Sequence, residues 1–230
     1  MTKRMMSMSL LLTAVFTLAA CTVLSEPATP SAPIESVPLA AEESAPVAEA
    51  ASSALYHISP EGSSVRFALD EDLRGERLTV VGETDQVAGQ IALDLGNLAE
   101  TEVGVLQINA RDLATDNNFR NRAIHNEILN TGNFEFISFE PTAVNGLPDS
   151  AEIGDTVTFT IDGNLTITDK TQPVTFNASA TVVSETQLTG TATAVINRTD
   201  FGLNIPRVPN VANVEEEVEL TIDFTANARR

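Results

Sequence analysis

Cysteine, histidine and positive charge are all scarce in this chain, and each scarcity excludes something. A single cysteine, Cys21, rules out an internal disulfide framework and any cysteine-based metal site. The two histidines, His57 and His125, stand far apart with no cysteine beside them, so no metal site is expected, and no cofactor. Neither a Gly-x-Ser-x-Gly elbow nor a cysteine nucleophile occurs beyond residue 54, so no catalytic residue is assigned and the chain is not read as an enzyme. Thirteen lysines and arginines against thirty-two acids leave a net charge of −19. A surface so acidic repels nucleic acid and anionic headgroups, and plain solubility or a salty habitat accounts for it. The run Glu215-Glu216-Glu217 reads as solvated, not as a general-acid pair. Nothing in the sequence sets an oligomeric state.

The first 54 residues do not belong to a fold. Lys3 and Arg4 precede an apolar stretch at 10–20 that is too short to span a bilayer as a mature helix, so residues 1–20 read as a signal peptide. Leu18-Ala19-Ala20-Cys21 resembles the lipobox of bacterial lipoproteins, which implies that the Cys21 thiol is lipidated and becomes the new N-terminus. The expected location is therefore the bacterial cell envelope, reached across the inner membrane and held by a lipid on Cys21. Thr22 lacks the aspartate that argues for inner-membrane retention. Loss of Lys3 and Arg4 with the signal would leave 21 net negative charges and Lys170 as the only lysine. Residues 22–54 hold five Pro, nine Ala and five Glu with no aromatic and no basic residue. Such a segment offers too little apolar surface to offset its ordering entropy, so 21–54 reads as a lipidated cysteine and a disordered tether. At ~5–6 Å × √n, its 33 residues would reach about 30 Å on average.

Residues 55–230 read as one β-domain. Thirteen residues, 156–168, alternate without a break: Val157, Phe159, Ile161, Gly163, Leu165 and Ile167 on one parity, mostly threonine on the other. Asp162-Gly163 looks like a two-residue hairpin turn. Closed there, however, a hairpin would set Ile161 against Asn164 and mix apolar with polar on one face, which register forbids. The strand therefore runs through, and the chain reverses at 168–173. Similar alternation recurs at 65–69, 87–95, 106–108, 174–182, 188–196 and 218–226, with turn-formers between. About eight or nine such strands form a closed barrel or a sandwich, and the pattern alone fits both. One stretch, 115–129, has Phe119, Ala123, Ile124 and Ile128 at helical spacing with Thr115 or Asp116 as cap, and reads as a helical excursion over one end. The next segment, 134–139, is apolar on both parities and should be covered from outside, by this excursion.

Several stretches then fit one pattern: Gly82 with 87–91, 115–124, 136–139, Gly163-Asn164-Leu165-Thr166-Ile167, Thr171-Gln172-Pro173-Val174 and Arg198-Thr199-Asp200-Phe201-Gly202. In this order and spacing they resemble the YceI-like family of bacterial secreted proteins over residues 56–226. The resemblance implies an all-β, lipocalin-like antiparallel barrel of about eight strands that encloses a polyisoprenoid chain. Three positions depart from the family pattern: Asn121 after Arg120, Ile124 and Asp169.

The residue chemistry agrees with a lipid carrier. Ala178, Ala180, Gly190, Ala192 and Ala194 face inward opposite strands bearing phenylalanine, and small inward residues leave volume; a tapered barrel filled by large neighbours fits the same pattern. The expected cavity lining is Phe67, Ile91, Leu106, Ile108, Phe159, Ile161, Phe176, Ala178, Ala192, Ala194, Ile222 and Phe224. A slot without charge suits an isoprenoid lipid, such as a quinone or polyprenyl carrier, at ~0.8 kcal/mol gross per buried carbon. Arg120, Arg122 and His125 on the excursion are candidates for a polar head, though a solvated helix face suits them better. Arg198 is a further candidate, though an ion pair with Asp200 that braces the barrel suits it better. An enzyme on a lipophilic substrate would need two titratable groups converging inside, and a structural surface module would need a filled barrel.

Overall fold

The structure, a computed structural model, describes residues 25–39 and 53–228. Twelve strands follow in chain order: β1 (Ala54–Ile58), β2 (Ser64–Leu73), β3 (Glu76–Thr84), β4 (Val87–Asp94), β5 (Asn97–Val103), β6 (Leu106–Asn109), β7 (Phe136–Asn145), β8 (Thr156–Ile167), β9 (Lys170–Ser184), β10 (Gln187–Asn197), β11 (Val211–Ala212) and β12 (Glu217–Ala228). Every pairing is antiparallel. The ladder β1-β4-β6-β7-β8-β9-β10-β12 returns to β1, which makes a closed eight-stranded barrel and decides against a sandwich. Strand β12 is shared. Its C-terminal half pairs with β1 and its N-terminal half with β2, so the β2–β3 hairpin continues the wall at one end.

Register explains the long strand. In β8, Asp162 faces Thr175 and Gly163 faces Val174 within an unbroken ladder, so no turn forms at this pair. The reversal occupies only Thr168 and Asp169, with Thr168 left-handed at φ 56°, and β9 starts at Lys170, earlier than expected. Pro173 consequently lies inside a strand. It pairs with Asn164 of β8, while β10 joins β9 only from Asn177 onward, so no ladder bond on that side is lost.

Inward-facing glycines do not leave space in this barrel. A β-carbon on Gly82 would lie 2.2 Å from the Phe67 ring, one on Gly163 2.5 Å from the Phe139 ring, and one on Gly190 2.5 Å from the Phe224 ring. Each glycine is a seat for a neighbouring strand's phenylalanine. Volume expected at Gly190 is thus filled, and only some of the small positions leave room.

The segment 25–39, expected as part of a loose tether, lies against the outside of the barrel. Ser25 carbonyl accepts from Asn126 Nδ2 at 2.8 Å, Thr29 carbonyl from Arg111 at 3.2 Å, and the Leu39 N–H donates to Gln90 Oε1 at 2.7 Å. Ser31 gives both its N–H and its hydroxyl to the Glu135 carboxylate, at 2.8 and 2.7 Å. Burial opposes ionisation of Glu135, yet these two donors, the Asn109 amide and Arg111 hold its carboxyl below the usual carboxylate range. Side chains of the barrel satisfy the strap's backbone, and four prolines (Pro27, Pro30, Pro33, Pro38) leave it less entropy to lose on docking. Composition signalled the lack of a core of its own; it carried no signal of a borrowed one. Cover for the β7 approach comes from this strap at Glu135, not from the excursion, and Phe136 stays 39% exposed. Cys21 and residues 40–52 lie outside the described residues, as do the signal-peptide and cleavage readings.

Candidate ligand-binding cavity

Two chambers lie along the barrel axis and share no lining residue. The inner one, about 90 Å³, is walled by Ile58, Ile91, Leu106, Phe139, Phe159, Ile161, Phe176, Ala192, Ile222 and Phe224 among others, with Thr101 the only polar residue. The outer one, about 600 Å³, lies under the helical excursion and is lined by Phe67, Leu69, Val80, Ile124, Ile137, Ile167, Ile196, Val218 and Leu220 among others. Between them Val87, Ile108, Leu165 and Ala194 are buried and line neither chamber. The Phe139 ring stands at this belt, seated over Gly163 and edge-on to Phe176 at 4.9 Å and 71°.

The expected lining therefore divides. Ile91, Leu106, Phe159, Ile161, Phe176, Ala192, Ile222 and Phe224 border the inner chamber and Phe67 the outer, while Ile108, Ala178 and Ala194 border neither. Strand alternation identifies inward residues but not their height along the axis, and the belt is a matter of height.

The mouth is built by the excursion. Asn117 caps the helix Asn118–Ala123, accepting from the Phe119 and Arg120 N–H groups at 2.9 and 3.2 Å, and a π-helical turn, Ile124–Ile128, continues it. The cap is Asn117, not Thr115 or Asp116; Thr115 instead bonds the Asn121 amide, with its N–H at 2.8 Å and its hydroxyl at 2.7 Å from Oδ1. Ala123, Ile124 and Ile128 line the outer chamber as their spacing implies. Phe119 also borders it, but at the rim, 73% exposed.

Charge is not excluded from the cavity, contrary to expectation. Glu71, 7% exposed, lines the outer chamber and pairs with Arg120 at 3.1 Å, and Arg120 also meets Asp116 at 2.7 Å. The signal for Glu71 was present: it continues the inward parity of Phe67 and Leu69 in β2. Arg198 lines the same chamber, yet Asp200 is exposed and the expected ion pair is not formed. The Arg198 guanidinium donates instead to the Glu215 and Leu203 carbonyls, at 2.9 and 3.0 Å, and so fastens the loop 202–216 that closes one side of the mouth. That loop supplies Leu203, Ile205, Pro206 and Val214 to the wall, residues that lie in no alternating strand.

Arg122 and His125 do not reach the cavity. Arg122 points to Glu26 of the strap at 3.5 Å. His125 is buried, with Nε2 donating to the Leu113 carbonyl at 2.8 Å and Nδ1 3.4 Å from the Thr131 hydroxyl. Burial lowers its pKa, against the opposing pull of the Leu113 carbonyl and Asp112. The unfolded imidazole takes its proton near ~6.5 and the folded one only at lower pH, so this contribution to stability is whole above pH ~6.5 and is lost as pH falls below it. One such group gives a slope of at most about 1.4 kcal/mol per pH unit. Urea midpoints measured from pH 8 to 5 should fall with acid, and less so in His125→Gln; equal slopes would refute this role.

Against this geometry the relatives can be placed. A sequence profile of the YceI-like domain matches residues 56–226. The chain belongs to the YceI-like family. No curated protein matches it significantly. Among solved structures, the YceI-like fold here is similar to a polyisoprenoid binding domain from Saccharophagus degradans implicated in plant cell wall breakdown (TM-score 0.61, 12% identity, 76% of this chain and 98% of that one). It is likewise similar to BcnA of Burkholderia cenocepacia (TM-score 0.59, 16% identity, 74% and 99%) and to a YceI protein of Campylobacter jejuni (TM-score 0.54, 15% identity, 65% and 85%). At these identities the likeness concerns the fold.

Proposed function

We propose that this YceI-like barrel holds the chain of an isoprenoid lipid in its outer chamber, at the bacterial envelope, for sequestration or transport. One observation carries the reading: a chamber of about 600 Å³ walled mainly by apolar side chains. A cavity of ~150 Å³ lined by apolar side chains holds a benzene, so the outer chamber has room for about 20–25 carbons and the inner one for less than a single ring. The description of the Saccharophagus domain as polyisoprenoid-binding supports the ligand class. Arg120 is already neutralised by Glu71 and Asp116, and Arg198 is committed to backbone carbonyls, so neither of these two is placed to receive a phosphate head. The same engagement argues against a catalytic role for Glu71, Arg120 and Arg198, which brace structure. Lipidation of Cys21 supplies the membrane attachment in this proposal, on the strength of the lipobox.

Native mass spectrometry of protein purified from its own host, followed by organic extraction, tests the reading. A co-purifying isoprenoid is expected, exchangeable for added prenols or quinones. A barrel that arrives empty and takes up none of a chain-length series would refute it.

A further inference from the structure

The strap begins where the cavity opens. Its first two described residues, Ser25 and Glu26, are held by Asn126 and Arg122. Both partners belong to the excursion, which lines the outer chamber through Asn117, Phe119, Arg120, Ala123, Ile124 and Ile128. Only four peptide steps separate Cys21 from Ser25, and at ~3.3–3.6 Å each they reach about 14 Å at most. A lipid on Cys21 would then keep the mouth end within that distance of its leaflet, well inside the reach of a free 33-residue tether.

Beside the exposed carboxylates of Glu26, Asp116 and Glu127, this end presents apolar side chains and cations. Phe119 and Val208, 73% and 46% exposed, stand with Pro209 on the rim of the outer chamber. Arg207 lies in the same rim, and Arg74 adjoins it through its N–H, which donates to the Asn210 carbonyl at 2.8 Å. Both arginines are exposed, and neither forms an ion pair among the described residues. Apolar side chains flanked by free cations, at the end tied closest to an anchor, suit a phospholipid leaflet: rings and branched chains enter the interface while guanidinium groups meet phosphates.

We propose that the rim formed by Phe119, Val208 and Pro209, flanked by Arg74 and Arg207, rests on the leaflet that carries the Cys21 lipid, so that the outer chamber opens onto the bilayer. The inference rests on the lipid-anchor reading and not on the identity of the ligand. A lipid would then pass between leaflet and chamber without crossing water.

The chain has no tryptophan, so one introduced residue reports alone. Full-length protein bearing Phe119→Trp, expressed with its anchor and placed in phosphatidylethanolamine–phosphatidylglycerol vesicles with brominated acyl chains, is compared with Val183→Trp. Val183 is 45% exposed near the β9–β10 turn, at the inner-chamber end. The F119W protein should show a blue shift and lose most of its emission to the bromines, while V183W keeps a water-like spectrum. With the acyl mass on Cys21 confirmed, equal and unquenched emission from the two overturns the docking. A full-length chain that carries no acyl group overturns the anchor reading and this docking with it, whatever the ligand test returns.

Discussion

Gly190→Val is expected to lower the thermal midpoint by roughly 5–10 °C, from about 2–3 kcal/mol of strain at ~2–4 °C per kcal/mol for a chain of this size. The reason is geometric. A β-carbon at this position would lie 2.4 Å from the Ser179 carbonyl oxygen of β9 and 2.5 Å from Cζ of Phe224. A ring can swing aside, but the carbonyl belongs to the ladder that joins β10 to β9, so relief requires moving a strand. Overpacking of a site without slack costs ~1–3 kcal/mol and sometimes more. Thr189→Val, one residue earlier on the opposite face of β10, is the control and should shift stability by no more than ~0.5 kcal/mol. Equal melting of the two variants would mean that Gly190 is not a seat for the ring.

Phe139→Ala should cost about 3–5 kcal/mol, the usual range for removing a buried ring. It should also change which lipids bind. The ring sits at the belt between the chambers, with Ile137 of the same strand face lining the outer chamber and Phe139 itself lining the inner. Its loss joins the two spaces and removes the floor on which a chain ending in the outer chamber would rest. Denaturant unfolding reads the first effect. The second appears in the chain lengths recovered after loading with a prenol series, which should extend beyond the ~20–25 carbons the wild-type chamber has room for. An unchanged longest chain would show that the belt does not limit depth.

Much of this fold was legible because a half-buried strand writes its face directly into the sequence. The unbroken parity of β8 gave a straight strand through Asp162-Gly163, and the ladder agrees. The resemblance over 56–226 pointed to a barrel where periodicity left the choice open. What escaped were features that depend on more than one strand. Gly190 looked like spare volume, yet the ring of Phe224 comes from another strand to occupy it. Ile108, Ala178 and Ala194 face inward but stand at heights where the tube is full. Arg198 prefers carbonyls of a loop that shows no period, so nothing local to Arg198-Thr199-Asp200 could reveal its partners. The strap at 25–39 was invisible for the same reason: its donors and acceptors lie on the excursion and on the barrel wall.

The seam between β1 and β12, where Tyr56–Ile58 meet Ala226–Ala228, joins the first strand of the domain to the last. During vectorial synthesis the cylinder stays open until some 170 residues of the domain have emerged, with the backbone of β10 unpaired along the side that β12 will occupy. Only the final dozen residues cap both exposed rows of amides at once. Completion is therefore a single late event that depends on contacts of very high sequence separation, and such contacts make folding slow. An unfinished copy offers neighbours a sticky template for self-association. The chain thus gains most from a chaperone in the interval just before its last strand arrives.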